Sequence, residues 1–114
     1  MIAKKKIYFT ECHLAGRKYH DADEVWEQLK VGTQVTLVAE PDNRFDPYAV
    51  AVLFHAADGE FYLLGYIPRS ENKQLSAFLE MGWTDIFECR INKIDADAHP
   101  ENQVMLTIKI KKKS

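Results

Sequence analysis

The chain has 114 residues, 46% hydrophobic and 28% charged, which is enough for a core that needs no disulfide or metal staple. No apolar run approaches the roughly 20 residues of a membrane helix. "MIAKKKIYFT" lacks the apolar segment and small-residue cleavage site of a signal peptide, so a cytoplasmic protein is expected.

In chain order, "KIYFTECHL" (residues 6–14) is rich in β-formers and reads as a first strand. "DADEVWEQL" (residues 21–29) reads as a short helix, with Asp21 or Asp23 as cap and Val25, Trp26 and Leu29 on one face. "QVTLVAE" (residues 34–40) sets Val35, Leu37 and Ala39 against Thr36, Val38 and Glu40, the alternation of a strand with two unlike faces. "YAVAVLF" (residues 48–54) is apolar throughout and reads as a central strand. "AADGE" supplies turn residues, and "FYLLGYI" (residues 61–67) returns to make a hairpin that Pro68 stops.

Ser70 is the expected cap of a helix over "ENKQLSAFLEMG", with Leu75, Phe78 and Leu79 on one face and Gly82 as the stop. "DIFECRINKI" (residues 85–94) and "NQVMLTIKI" (residues 102–110) alternate well and flank "DADAHPE" as a last hairpin. About six strands and two short helices predict a mainly β fold. A curled sheet closing into a small OB-like or SH3-like barrel removes most exposed edges. Residues 1–114 read as one domain, with a core over about 7–110 and basic termini.

The net charge is −2, but Lys4, Lys5, Lys6, Lys109, Lys111, Lys112 and Lys113 account for seven of the 15 basic residues. Residues 7–108 hold 8 basic against 17 acidic side chains, or −9, so any anion binding must be local. The terminal lysines read first as solvated ends that guard edge strands. Cys12 and Cys89 form no CxxC pair and read as buried thiols. With no zinc-type spacing among the four histidines and two cysteines, no metal and no cofactor is expected. No nucleophile-elbow context surrounds Ser70 or Ser76, and no acid–base set converges, so no enzyme is expected.

Three segments carry a resemblance. "LAGRKYH", then "VTLVAEPDNRFDPYAVAV", then "LGYIPR" followed by "ENKQLSAFL", resemble the HIRAN domain over roughly residues 7 to 110. The strongest element is E-P-x-N-x-[aromatic]-D-x-x-A-[V/I]-x-V, where several constrained positions recur at fixed spacing. That family is known as a module joined to SWI/SNF-type DNA translocases and also as small free-standing bacterial proteins; the latter is the expected form here. No helicase segment or phosphate-binding P-loop accompanies it. The resemblance implies an OB-like barrel and recognition of single-stranded DNA, at a free 3′ end in the studied eukaryotic members, with a link to DNA repair or replication.

Carried over by position, Asp46 would accept a hydrogen bond from the terminal 3′-hydroxyl. Phe45 stands where those members use Tyr and keeps the stacking face without the phenol hydroxyl. Lys18 stands where they use Arg and keeps the charge without the bidentate fork. Tyr19 matches an aromatic of the same pocket, and Arg69 lies near a Lys that contacts the backbone.

The loop "EPDNRFDPYAVAV" (residues 40–52) is also legible on its own. Pro41 biases Glu40 toward extended backbone, and Asp42 and Asn43 can fold the chain through side-chain-to-backbone bonds. Arg44, Phe45 and Asp46 then offer a cation, a ring and a hydroxyl acceptor, the chemistry that holds the end of a nucleotide strand.

A structural role competes at each position. Asp46 could brace the loop, Phe45 could plug the core, and Arg44 could pair with Asp42 or Glu40. Tyr19 and Tyr66, the candidate base platforms, could instead be half-buried barrel aromatics, Arg17 and Lys18 a solvated basic pair, and Glu40 reads as structural. The competing function is a protein-interaction or self-associating module that works through strand edges.

Overall fold

The computed structural model describes residues 5–112. Six strands form one antiparallel sheet: β1 (Lys6–His13), β2 (Gln34–Ala39), β3 (Val50–His55), β4 (Phe61–Tyr66), β5 (Phe87–Ile94) and β6 (Val104–Lys111). Their order across the sheet is β1-β6-β5-β2-β3-β4. One α-helix, α1 (Arg69–Glu80), follows β4, and short 3-10 turns occupy Arg17–Tyr19, Asp21–Gln28 and Pro100–Asn102.

Alternation decides the register. In β6, Val104, Leu106 and Ile108 are fully buried while the residues between them are not. Leu106 lies opposite Cys12 on one side and Ile91 on the other, so three strands stack their inward residues in one layer. Leu14, Val50, Val52, Leu64 and Leu75 complete the core. Both cysteines are free, buried thiols. Burial, with the Glu71 and Glu11 charges nearby, pushes the Cys12 thiol up to about 12, and burial raises Cys89 further, so neither is a thiolate at neutral pH.

The expected barrel closure is not what forms. β2 pairs with β5 only at Gln34–Arg90 and Val35–Cys89, and β1 and β4 remain the two edges. Bulges in the β1–β6, β3–β4 and β5–β6 ladders curl the sheet, and the edges meet at one residue pair. Ala15 and Tyr66 exchange both backbone hydrogen bonds, at 2.8 and 2.9 Å.

Two glycines explain why contact occurs there and goes no further. A Cβ on Gly65 would lie 2.5 Å from the Ala15 carbonyl oxygen, so only glycine admits that approach. Gly16, at φ 69°, then turns the chain out of the strand direction into the Arg17–Tyr19 turn. Its N–H is held by Glu101 Oε1 at 2.9 Å.

The helix expected over 21–29 is instead a run of 3-10 turns, Asp21–Gln28, whose N-cap is His20, and neither Asp21 nor Asp23 caps it. Ala22 and Val25 are both buried, and their spacing of three matches the eclipsed side chains of a 3-10 turn. Ser70 is not the cap of α1 either. The helix starts at Arg69 behind Pro68, with no side-chain cap. Its other end is as expected: Gly82 sits at φ 93°, and Gly82 and Trp83 donate to Leu79 and Phe78 in a Schellman closure. No helix of the described residues is long and apolar enough to cross a membrane.

Candidate nucleic-acid interface

The loop between β2 and β3 is wound by its own side chains. Glu40 N–H donates to the Ala49 carbonyl at 2.8 Å and closes the loop at its base. Asn43 Oδ1 accepts from the N–H groups of Phe45 (2.9 Å) and Asp46 (3.1 Å), an Asx turn. Asn43 Nδ2 donates to Glu40 Oε1, which also accepts from the Tyr66 hydroxyl at 2.8 Å. Burial, then the bond to Glu40 and its charge, pushes Tyr66 up to about 12, so it is a neutral donor that ties the loop to β4.

This winding throws the Phe45 ring outward. Phe45 is 84% exposed, which rules out a core plug. Asp46, by contrast, is half-buried and partly engaged. Its Oδ1 accepts from Tyr48 N–H at 2.9 Å, and its Oδ2 accepts from Asn72 Nδ2 at 2.8 Å. Arg69 Nε lies 3.6 Å from the same Oδ2, while its Nη2 donates to the Phe45 carbonyl at 2.9 Å. A carboxylate offers about four lone-pair sites. Three contacts thus leave Asp46 room for one more donor, and the Arg69 charge offsets its own.

A pocket of about 390 Å³ opens beside this loop. Phe45 and Asp46 form one wall, Tyr66 through Arg69 another, and Ala15, Gly16 and His20 the third. Its volume suits a small organic ligand, for which about 300–1,000 Å³ is usual. The wall made by Ala15 and Gly16 exists because Gly65 lets that segment touch β4.

Of the residues singled out from the sequence, Phe45, Asp46, Tyr66 and Arg69 line this pocket together. Lys18 and Tyr19 do not line it. They sit on the Arg17–Tyr19 turn, between Gly16 and His20, which do, and Tyr19 is 76% exposed. Lys18 Nζ hovers 5.8 Å from the Tyr19 ring centroid. Arg44 is exposed on the loop and makes no ion pair with any described residue.

Arg17 is the clearest correction. Expected in a solvated pair with Lys18, it is only 8% exposed, lies over the Trp26 ring at 4.2 Å and pairs with Asp23 at 2.7 Å. A guanidinium is weakly hydrated and stacks on aromatic faces, so Trp26 draws it inward.

Asn43 winds the loop through side-chain-to-backbone bonds as its position led one to expect, but two residues escaped sequence reasoning: His20, whose ring meets Tyr66 edge-on at 5.4 Å, and Asn72 beneath Asp46. Asn72 had a usable signal, a polar side chain three positions before Leu75 on the buried face of α1. Among the described residues no group of three or more His, Cys, Asp or Glu side chains is placed to hold a metal.

Fold and site together define a curled six-stranded antiparallel domain with a pocket at the seam where its edges meet. The chain belongs to the HIRAN domain family, whose model matches residues 7–113, a family of non-catalytic DNA-binding modules. A Fanconi-associated nuclease 1 homolog of Oryza sativa subsp. japonica is 33% identical over 76 residues. That match covers 67% of this chain and 7% of the rice protein, so the chain corresponds to a small part of it.

Two crystal structures share the fold. A protein from Lactobacillus plantarum superposes with a TM-score of 0.73 at 21% identity, over 92% of this chain and 94% of that one. The HIRAN domain of human HLTF gives 0.60 at 16% identity, over 95% of this chain and 82% of that one.

Proposed function

We propose that this protein is an OB-like module that binds single-stranded DNA without catalysis and holds a free 3′ end in the pocket beside the β2–β3 loop. The observation that carries this reading is one juxtaposition: an exposed Phe45 ring, an Asp46 carboxylate with acceptor capacity left, and the Arg69 guanidinium on one pocket. Phe45 stacks on the terminal base, an interaction worth about 1–3 kcal/mol. Asp46 accepts from the 3′-hydroxyl, and Arg69, with Arg44 and Lys18 at the rim, meets phosphate. Tyr19 adds a second ring at the rim, and Tyr66 forms the floor. The rice relative's name, a nuclease homolog, supports a place in DNA repair.

The test is an anisotropy titration with short single strands ending in a 3′-hydroxyl or a 3′-phosphate, each at two salt concentrations. Tighter binding of the hydroxyl end is expected, because a phosphate there would face Asp46. With about three cations in reach, log K should fall with log salt at a slope near −2. Phe45→Ala should weaken both ligands about tenfold or more. Equal affinity for the two ends removes end recognition, and no binding at low salt removes the reading.

Self-association is the second reading, and the exposed Ile7 and Tyr8 on edge strand β1 favour it. Light scattering that gives a monomer mass at high concentration would eliminate it.

A further inference from the structure

We propose that the binding surface continues beyond the pocket onto a second subsite, in which the Tyr48 ring and the Lys73 ammonium take the next nucleotide of the strand. This inference rests on the single-stranded DNA reading above and extends it to two residues that reading leaves without a role.

The first turn of α1 reaches back to the loop three times. Arg69, Asn72 and Lys73 stand at i, i+3 and i+4 and share one helix face. Arg69 bonds the Phe45 carbonyl, Asn72 bonds Asp46, and Lys73 Nζ lies 5.1 Å from the centroid of the Tyr48 ring. The helix and loop thus run side by side as two matched rows, a row of donors and cations and a row that carries two exposed rings, Phe45 and Tyr48.

Tyr48 is fixed where it stands. Asp46 Oδ1 holds its N–H, Pro47 precedes it and Ala49 behind it is buried, yet its side chain belongs to the exposed aromatics. Lys73 is exposed and makes no ion pair with any described residue.

From Arg69 to Lys73 is one helical turn, about 6 Å along the axis. That matches the step between neighbouring phosphates of an extended strand. A nucleotide whose end sits in the pocket beside Phe45 and Arg69 therefore leaves its neighbour's base over Tyr48 and its neighbour's phosphate beside Lys73. Rings accept any base by stacking, so this subsite adds affinity without sequence preference.

Competition titrations against a fluorescent oligothymidine, with thymidine mono-, di- and tetranucleotides that all end in a 3′-hydroxyl, test this directly. The unmutated protein should gain about tenfold in affinity from one nucleotide to two. Tyr48→Ala and Lys73→Gln should each erase most of that gain while leaving mononucleotide binding and the preference for a 3′-hydroxyl over a 3′-phosphate intact. Tyr48→Phe and Lys73→Arg should restore it. Both positions are exposed, and unchanged melting temperatures will separate lost contacts from lost fold. If the length gain survives in both variants, or is absent from the unmutated protein while end preference holds, the second subsite is wrong and the pocket stands. If no oligonucleotide binds, both fall together.

Discussion

Asn43 organises the loop more than any residue with an evident ligand chemistry. Its carbonyl holds two consecutive N–H groups and its amide reaches Glu40, so one side chain sets where Phe45 and Asp46 point. Asn43→Ala should lower unfolding free energy by about 1–2 kcal/mol in urea melts, the worth of its lost bonds, and should weaken DNA binding with Phe45 and Asp46 still present.

Tyr66 offers a pH signature at the same scale. Its ordinary value of 10 rises to about 12 in the fold, so its contribution to stability is present below pH 10 and lost as pH rises through 12. The Tyr62 hydroxyl donates to Asp58, and that bond pushes it up to about 12 as well, so ultraviolet titration should show Tyr66 and Tyr62 as late phenols and Tyr66→Phe should leave Tyr62. The ring, carboxylate and cation of this loop were legible because they stand adjacent in the chain. His20 was not, and Asn72 showed only as a polar position on the buried face of α1, since they reach the site through the seam at Ala15 and through α1.

The strands and α1 were legible from alternation and spacing, because their inward faces bury apolar side chains at periods of 2 and 3.6. The stretch after β1 was not. Its shape depends on a glycine 50 positions beyond Ala15, since the segment can approach β4 only where Gly65 leaves room for the Ala15 carbonyl. Gly65→Ala should cost about 1–3 kcal/mol by overpacking and, by pushing Ala15, Gly16 and His20 outward, should weaken ligand binding as well. A melt and a binding titration on the same variant check both effects.

Arg17 was misread for a similar reason, since its partners, Asp23 and Trp26, come round to it only when residues 21–28 tighten into 3-10 turns. The sheet is left unclosed at the same point. Gly16 turns the chain away after a single bridge, so strand count alone could not decide closure.

Across the whole molecule, charge is segregated. The −9 of residues 7–108 leaves the cations of the loop, of the Arg17–Tyr19 turn and of α1 as local exceptions in an acidic surface, which favours a short ligand over a long wrapped one. A separate charge cluster ties the sheet together: Glu88 on β5, 5% exposed, receives Lys6 from β1 and Arg90 from its own strand, each at 2.6 Å. Lys6 first, then Arg90, holds the Glu88 carboxyl below its ordinary value of 4.5. A lowered carboxylate stabilises the fold above pH 4.5, and that stability is lost as pH falls through the folded-state value. Glu88→Gln should therefore destabilise the protein at pH 7 and flatten the loss between pH 5 and acid, as denaturant melts across that range will show.

Whether a strand end sits in the pocket at the seam is tested by residue-resolved chemical-shift mapping with a short 3′-hydroxyl single strand. The largest amide shifts are expected at Asn43 to Asp46, at Tyr66, Ile67 and Arg69 and at Gly16 to His20, with Lys30, Arg90 and Lys93 unmoved. Shifts that gather on those last three, or on the terminal lysines, while the seam stays silent would contradict that placement.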